Sequence, residues 1–210
     1  MNQERKFFDE VFQSKSPEAT RQLYDDWAEN YEKAHQNMGG YLAPTRCAEA
    51  LARFVTDRSA GVLDVGCGTG LAALALRELG FSAIDGTDIS PGMLKAAAKK
   101  PGLYRALYQG DLNDPLPIQR DDIRHAVAAG VLSPAHAPAS CIRDVIELLP
   151  QEGCFSFSLN DHSLEDPEYQ ATIDELVSAG VVRECFREHG VNVPGTGLYT
   201  TVVVLQKTRG

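Results

Sequence analysis

One run of the chain, VLDVGCGTG at residues 62–70, combines residue types that suit the binding of a small ligand. Asp64 stands third in a strand-like apolar run, and glycines follow at positions 66, 68 and 70. A carboxylate in an apolar sheet is costly unless backbone donors or a cationic group satisfy it. Glycines at a strand-to-helix turn let the backbone approach a ligand and aim free N–H groups at it. The run therefore predicts a site for a nucleotide-like cofactor.

Two further aspartates lie where the next two predicted strands end. Asp88, in IDGTDIS, is placed to accept both hydrogen bonds of a ribose diol, and Asp111, in QGDL, follows the third strand. Each also has a local explanation, because Asp88 precedes a helix start at Ser90 and Asp111 precedes Asn113 in a turn. Three acids in order at the ends of successive strands favour a cofactor site over turn chemistry alone.

A dinucleotide site is the main alternative for this glycine loop. The G-x-G-x-x-G/A fingerprint ends on bulky Leu71 when it is counted from Gly66, and on Ala73 when it is counted from Gly68. An NAD site would also use the acid after the second strand. The pattern that fits without adjustment is D-x-G-x-G-x-G from Asp64 onward. An NAD(P)-dependent oxidoreductase is therefore the less favoured interpretation.

Alternating strands and helices must position these residues. Leu23, Trp27 and Tyr31 share one helical face, which predicts an amphipathic helix from Ser16 to His35, and a second helix covers about 44–56. After them we predict strands at 62–65, 82–87, 104–109, 124–130, 153–159, 181–189 and 198–206, and helices at 70–79, 91–99, 138–149 and 166–178. This alternation indicates βαβ units on a parallel sheet with right-handed crossovers.

The last two predicted strands depart from that pattern. Only about eight residues, GVNVPGTG, join them, whereas a parallel crossover takes a dozen or more. We therefore expect the last pair of strands to be antiparallel.

Composition bounds the class of protein. A chain of 210 residues with 43% hydrophobic content suffices for one substantial α/β domain. There is no run of about eighteen apolar residues and no apolar signal core, so we expect a soluble, unsecreted protein. Five cysteines without a C-x-x-C pair argue against a disulfide framework or a thiolate zinc site, and they fit a reducing cytoplasm.

Charge and histidine spacing restrict the partners. A formal net charge of −9 disfavours nucleic acid unless a local basic patch overrides it, and the densest group, Lys95 with Lys99 and Lys100, is typical of an ordinary solvated helix face. The histidines form no H-x-x-x-H pair, so we expect no metal. Oligomeric state is not readable from the sequence.

The glycine loop and the two later aspartates together resemble the class I S-adenosylmethionine-dependent methyltransferases, whose first motif reads like VLDVGCGTG. Three longer strings resemble more closely the methyltransferase-like proteins named for the Williams-Beuren syndrome region: YDDWAENYEKA at 24–34, GYLAP at 40–44 and AGVLSPAHAPAS at 129–140. The likeness covers about residues 20 to 206. One departure is the start of the fourth strand, Arg124, His125 and Ala126, where many relatives have an acidic and apolar start.

The resemblance implies a fold. It is an α/β, Rossmann-like, seven-stranded, mostly parallel sheet of order 3-2-1-4-5-7-6 with strand 7 antiparallel and helices on both faces. It also implies an N-terminal helical lid segment, which we place at residues 1–56, and a methyltransferase core at 57–210, within one structural domain.

The resemblance further implies a cofactor, S-adenosyl-L-methionine, and its main polar contacts. Asp64 is expected near the methionyl ammonium, Asp88 at the ribose and Asp111 at the adenine amino group. Tyr24 and Tyr31, seven positions apart, are expected to bring a phenol to the cofactor carboxylate. The alternative is an aromatic stripe docked on the core.

The remaining implied contacts come from the glycine loop, the walls of the adenine pocket and the residue after strand four. They are Gly66, Cys67, Gly68, Gly70, Ile89, Met93, Leu112 and Ala129. For Ile89 and Met93, plain core packing is the alternative.

The implied reaction needs few protein groups, because the sulfonium already carries an activated methyl. Catalysis is then positioning, exclusion of water and proton removal. His136, Asp161 and His162, after strands four and five, are the predicted catalytic residues, and each is also explained as an exposed loop residue.

No (N/D)-P-P-(Y/F) tetrapeptide follows strand four, which lowers the expectation of amino methylation of DNA or protein. We predict a cytoplasmic methyltransferase (EC 2.1.1.-) with a small-molecule acceptor. A non-catalytic S-adenosylmethionine-binding protein is the runner-up, and a protein or RNA acceptor stays open.

Overall fold

The computed structural model describes residues 17–28, 30–37, 40–118, 120–134 and 136–208. Three helices come first: α1 (Pro17–Trp27), α2 (Tyr31–Asn37) and α3 (Ala43–Ala52). Strands and helices then alternate as β1 (Gly61–Val65), α4 (Leu71–Glu78), β2 (Ile84–Asp88), α5 (Pro91–Ala98), β3 (Ala106–Gln109), β4 (Ile123–Leu132), α6 (Ser140–Leu148), β5 (Cys154–Asn160), α7 (Asp161–Glu165), α8 (Pro167–Ser178), β6 (Val182–Val193) and β7 (Leu198–Lys207). The predicted α/β alternation is confirmed.

The seven strands form one sheet of order β3-β2-β1-β4-β5-β7-β6. Strands β1 to β5 pair in parallel, whereas β7 lies antiparallel to both β5 and β6. The predicted order and the antiparallel last pair are both confirmed. Strands β6 and β7 extend into the connection predicted from the sequence, so only residues 194–197 separate them.

Buried side chains form a hydrophobic cluster on each face of the sheet. Leu63 and Val65 of β1 pack with α6 and α8, whereas Val62 packs with α3 and α4, because successive side chains of a strand point to opposite faces. Helix α3 contributes fully buried residues such as Leu51 to the second cluster. The predicted lid segment of residues 1–56 therefore includes a helix that packs as a layer of the core, and the helices lying over the cleft described below are α1 and α2, here called the lid helices.

Two local predictions need correction. The single helix predicted for 16–35 is two helices, separated by a turn in which the amide of Asn30 bonds the carbonyl of Trp27 at 2.8 Å; Ser16 lies outside the described residues. The sequence prediction also missed α7, whose start is capped by Asn160 through the amide of Ser163 at 2.9 Å. Among the described residues, no helix combines the length and apolar character that crossing a membrane requires.

Candidate functional site

The loops after β1, β2 and β3 meet at the carboxyl edge of the sheet, as neighbouring parallel strands require. They border a cleft whose open space, counted out to the solvent at its mouth, is about 660 Å³. The cleft brings together eleven of the predicted site residues: Tyr24, Tyr31, Gly66, Gly68, Asp88, Ile89, Met93, Asp111, Leu112, Ala129 and His136. Thr20, Gly130 and Val131 also line it.

Three glycines shape the loop after β1. Gly66, Gly68 and Gly70 have φ angles of +64°, +54° and +99°, which side-chain-bearing residues rarely adopt. A Cβ at Gly66 would collide with Val131, whereas a Cβ at Gly68 would meet no protein atom within 4 Å. Gly68 lines the cleft, so the space that its missing side chain leaves is room for a ligand. Gly70 does not line the cleft, and it is the residue that precedes α4, at the cap position.

Asp64 lies in a second lobe of about 310 Å³ that shares Tyr31, Gly66, Gly68 and Ala129 with the main cleft. Its side chain is 1% exposed and accepts a hydrogen bond from the phenol of Tyr104 at 2.7 Å. Burial raises the pKa of Asp64 to about 7, while the Tyr104 hydrogen bond lowers it. The carboxyl group therefore changes charge near neutral pH. Cys67, predicted as a loop contact, lines this second lobe.

Asp88 ends β2 and joins the glycine loop to the next helix. Its Oδ2 accepts a hydrogen bond from the amide of Gly68 at 2.8 Å, and its Oδ1 accepts one from the amide of Ser90 at 2.9 Å. Asp88 thus supports the helix start at Ser90, as its local explanation predicts, and its side chain also lines the cleft. Burial raises the pKa of Asp88. A carboxylate has about four acceptor positions, so Asp88 retains acceptor capacity for a ligand.

Asp111 lies in the loop after β3 and lines the cleft. Its Oδ1 accepts hydrogen bonds from the amide of Asn113 at 2.9 Å and from that residue's side chain at 2.7 Å. This is the turn predicted from the sequence. Asp111 nevertheless lines the cleft beside buried Leu112, so the turn fixes the carboxylate at the edge of the site.

The lid helices are bonded to two segments beside the cleft. Asp25 of α1 accepts hydrogen bonds from the hydroxyl of Ser90 at 2.6 Å and from the amide of Gly92 at 2.8 Å. In α2, Glu32 pairs with Lys100 at 2.6 Å, and the same ammonium bonds the carbonyl of Thr69 in the glycine loop. The lid helices thus form a roof fixed to the loops that carry the acids.

Two tyrosines of the lid helices face the cleft. The rings of Tyr24 and Tyr31 lie 6.1 Å apart, centroid to centroid. The phenol of Tyr24 lies 2.7 Å from Nε2 of His136, in the loop after β4. A third phenol was missed from the sequence: Tyr41, in the GYLAP string, lines the second lobe and occupies the space of a side chain at Gly130.

The predicted catalytic residues separate into two groups. His136 lines the cleft. Asp161 and His162 are exposed at the start of α7 and do not line it, and Nδ1 of His162 lies 3.7 Å from Glu165. The structure therefore does not bring these two residues to the cleft, because β5 continues to Asn160 and α7 turns their side chains to solvent. Among the described residues, no cluster of histidine, cysteine or acidic side chains suits a metal ion.

Comparison with known proteins agrees with this geometry. The family described as a methyltransferase domain matches residues 62–153. The human methyltransferase-like protein 27 is 35% identical over 164 residues, which cover 76% of this chain and 66% of that protein. The chain belongs to the class I methyltransferase family.

A second curated methyltransferase shares a shorter region. The dTDP-3-amino-3,6-dideoxy-alpha-D-glucopyranose N,N-dimethyltransferase of Streptomyces fradiae is 34% identical over 88 residues, which cover 41% of this chain and 34% of that protein. The aligned region thus spans about two thirds of the human relative and about a third of the bacterial one.

Solved methyltransferase structures share the fold. A TehB-like SAM-dependent methyltransferase from Corynebacterium glutamicum has a TM-score of 0.61 at 19% identity, covering 86% of this chain and 98% of that chain. The magnesium protoporphyrin IX methyltransferase of Synechocystis, solved with bound SAM, has a TM-score of 0.58 at 15% identity and covers 80% and 81% of the two chains. At these identities the likeness establishes the methyltransferase fold.

Proposed function

We propose that the protein transfers a methyl group from S-adenosylmethionine to a small-molecule acceptor. One observation carries the proposal. Asp64 lies in β1, Asp88 ends β2 and Asp111 follows β3, and these three acids line the cleft and its second lobe. This order of acids matches the polar groups of the cofactor: ammonium, ribose diol and adenine amino group.

The residues present fit that cofactor. Gly68 leaves open space where its amide region borders the cleft, and Asp88 retains acceptor capacity there. Ile89, Met93 and Leu112 supply apolar walls for a flat base. Tyr31 and Tyr41 place phenols in the second lobe near Asp64, where a zwitterionic amino-acid group would lie.

Bound S-adenosylmethionine would supply an activated methyl, and the chain's own residues then position the acceptor and exclude water. The lid helices provide the exclusion, because Asp25 and Glu32 bond them to both sides of the cleft. His136 is the residue at the cleft that would take a proton. Burial lowers the pKa of His136 to about 4, so its imidazole is neutral at physiological pH.

The roofed cleft favours a small acceptor. A nucleic-acid backbone would also meet a formal net charge of −9. The Streptomyces relative is named for the N,N-dimethylation of an amino-sugar nucleotide, which supports the small-molecule class without fixing the acceptor here. The five cysteines are free thiols, four of them buried, which supports the proposed cytoplasmic location.

Thermal unfolding with four ligands tests the cofactor. We expect S-adenosylmethionine and S-adenosylhomocysteine to raise the melting temperature by several degrees, since a ligand at 100 times its dissociation constant adds about 2.7 kcal/mol. NAD and NADP should give no shift. A shift with NAD instead would return the site to the oxidoreductase interpretation. Binding of S-adenosylmethionine without turnover across amines, alcohols and thiols would favour a non-catalytic binding protein.

A further inference from the structure

Three side chains form a hydrogen-bonded chain across the cleft wall. The phenol oxygen of Tyr24 lies 2.7 Å from Nε2 of His136, and the hydroxyl oxygen of Ser133 lies 2.6 Å from Nδ1 of the same ring. Tyr24 belongs to lid helix α1, whereas the other two residues follow β4. Both nitrogens of the imidazole thus face a hydroxyl group.

The turn that carries His136 is held from both ends. Within it, the amide of His136 bonds the carbonyl of Ser133 at 2.9 Å. Ser163 of α7 donates its hydroxyl to the carbonyl of Leu132 at 2.7 Å, and Tyr169 of α8 donates its phenol to the carbonyl of Ala137 at 2.7 Å. Both of these donors are buried. The imidazole is therefore preorganised by the helices behind the sheet, as a proton-transferring group requires.

A neutral imidazole has one N–H donor and one acceptor nitrogen, so two tautomers are compatible with these contacts. In the first, Nδ1–H donates to Ser133 and the Tyr24 phenol donates to Nε2. In the second, Nε2–H donates to Tyr24 and the Ser133 hydroxyl donates to Nδ1. Only the first leaves Nε2 able to accept a proton from the direction of the cleft.

We propose that Tyr24, His136 and Ser133 form a relay that removes the acceptor's proton during methyl transfer, with Tyr24 as the catalytic residue that touches the acceptor. The proposal rests on the proposed function. It assigns Tyr24 to the acceptor and leaves Tyr31 for the cofactor. Ser133 is a positioning residue, which holds the imidazole in the Nδ1–H tautomer.

The step balances without any further reagent. The acceptor's electron pair forms the bond to the methyl carbon, and the electrons of the broken carbon–sulfur bond stay on sulfur. The acceptor's proton passes to the oxygen of Tyr24 while the proton of that phenol passes to Nε2 of His136. The resulting imidazolium donates from both nitrogens, to Tyr24 and to Ser133. An acceptor of this class carries hydrogen on its nucleophile: an amine, an alcohol or a thiol.

The relay also requires a docked lid. Tyr24 reaches His136 only because α1 lies over the cleft, where Asp25 bonds Ser90 and Gly92. The contact that holds α1 over the cleft and excludes water therefore also completes the proton relay.

Nuclear magnetic resonance of histidine-labelled protein tests the relay without an acceptor. Long-range ¹H–¹⁵N spectra report the tautomer of each ring, with His136→Asn identifying the signals. His125 provides an internal reference, because its Nδ1 accepts the amide of Cys154 at 3.1 Å and its hydrogen must lie on Nε2. We expect the opposite tautomer, Nδ1–H, for His136. Ser133→Ala should convert His136 to the Nε2–H tautomer.

Two matched variants separate the tyrosines. Tyr24→Phe should move the Nε2 signal of His136 and leave the dissociation constant for S-adenosylhomocysteine within about twofold. Tyr31→Phe should weaken the binding of S-adenosylhomocysteine and leave the His136 signals in place. The relay is overturned if wild-type His136 is the Nε2–H tautomer. It is also overturned if Tyr24→Phe weakens the binding of S-adenosylhomocysteine without moving the Nε2 signal. If wild-type protein binds no S-adenosylhomocysteine, the proposed function fails separately, because the ring signals are read without ligand.

Discussion

The phenol of Tyr104 donates a hydrogen bond to Oδ2 of Asp64 over 2.7 Å, although 40 positions separate the two residues. This contact supplies the partner that a carboxyl group inside a sheet requires. It does not fully offset burial, which raises the pKa of Asp64 from 3.8 to about 7. Because the folded state binds this proton more tightly than the unfolded chain, the resulting contribution to stability is present below about pH 4. It is lost as the pH rises through 7.

A first prediction follows for ligand binding. The methionyl ammonium favours ionised Asp64, so binding of S-adenosylhomocysteine should release a proton and tighten about tenfold between pH 6 and pH 8. Isothermal titration calorimetry in two buffers of different ionisation enthalpy measures both effects. Asp64→Asn should flatten the profile. Equal affinity at both pH values in the wild type would remove Asp64 from the ammonium site.

Gly68→Val should abolish cofactor binding. The residue has a φ of +54° and borders the open cleft, so a branched side chain would both strain the loop and occupy ligand space. Calorimetry measures the loss, and far-UV circular dichroism should remain close to native. Gly195→Val is the matched control, because Gly195 has a φ of +75° with similarly open surroundings in the β6–β7 turn. Retained affinity in Gly68→Val would place the ligand elsewhere.

Asp88→Ala should weaken the binding of S-adenosylmethionine by about 10- to 150-fold. This loss is equivalent to about 1.5–3 kcal/mol, the range for charge-assisted hydrogen bonds. The variant also leaves the amides of Gly68 and Ser90 without their acceptor, so its melting temperature should fall. Asp121→Ala, at an exposed position, controls for the loss of one charge. An unchanged dissociation constant would show that Asp88 serves only the loop.

Hydrogen exchange should report the lid helices. Across residues 16–40, amide exchange should slow when S-adenosylmethionine binds, because the ligand fills the space beneath Tyr24 and Tyr31. Mass spectrometry of peptides from this segment measures the change. Equal exchange rates with and without ligand would show that the lid helices pack on the core independently of the ligand.

The tether of α1 has its own test. Asp25→Ala should accelerate exchange across residues 17–28 in the free protein, since it removes the acceptor of the Ser90 hydroxyl and the Gly92 amide. Asp26→Ala is the control, because Asp26 is exposed and accepts a hydrogen bond only within its own helix, from Gln22, among the contacts that the structure describes. Identical rates in the two variants would show that Asp25 does not hold the lid.

The sequence predicted the parts of the site that depend on local spacing. Strand ends and glycines are recognisable in a one-dimensional pattern, so the positions of Gly68, Asp88 and Asp111 at the cleft follow from spacing alone. The alternation of strands and helices also predicted a mostly parallel sheet, because βαβ units join parallel strands. The strand order itself was implied by the resemblance to the class I methyltransferases.

Contacts between distant segments were not predictable in this way. Tyr104 meets Asp64, and Tyr24 meets His136 across 112 positions, and no spacing rule connects these pairs. The structure does not bring Asp161 and His162 to the cleft, because a helix, rather than the loop expected from the sequence, follows β5. One local signal was available: Asn160 stands three positions before Ser163, as a helix cap does.

The place of β7 in the sheet has a consequence for biosynthesis. The last strand in the chain lies between β5 and β6, so a ribosome-bound chain lacking it has an unfilled gap inside the sheet. Every described residue that lines the cleft or its second lobe lies between 20 and 136 and has already emerged by then. Yet the hydroxyl of Ser158 in β5 accepts a hydrogen bond from the amide of Gly130 at the cleft wall. Strand β5 in turn pairs with β7. The ligand-binding segment is thus translated early but completed late, and nascent chains should acquire affinity for the ligand only after Lys207 has left the exit tunnel.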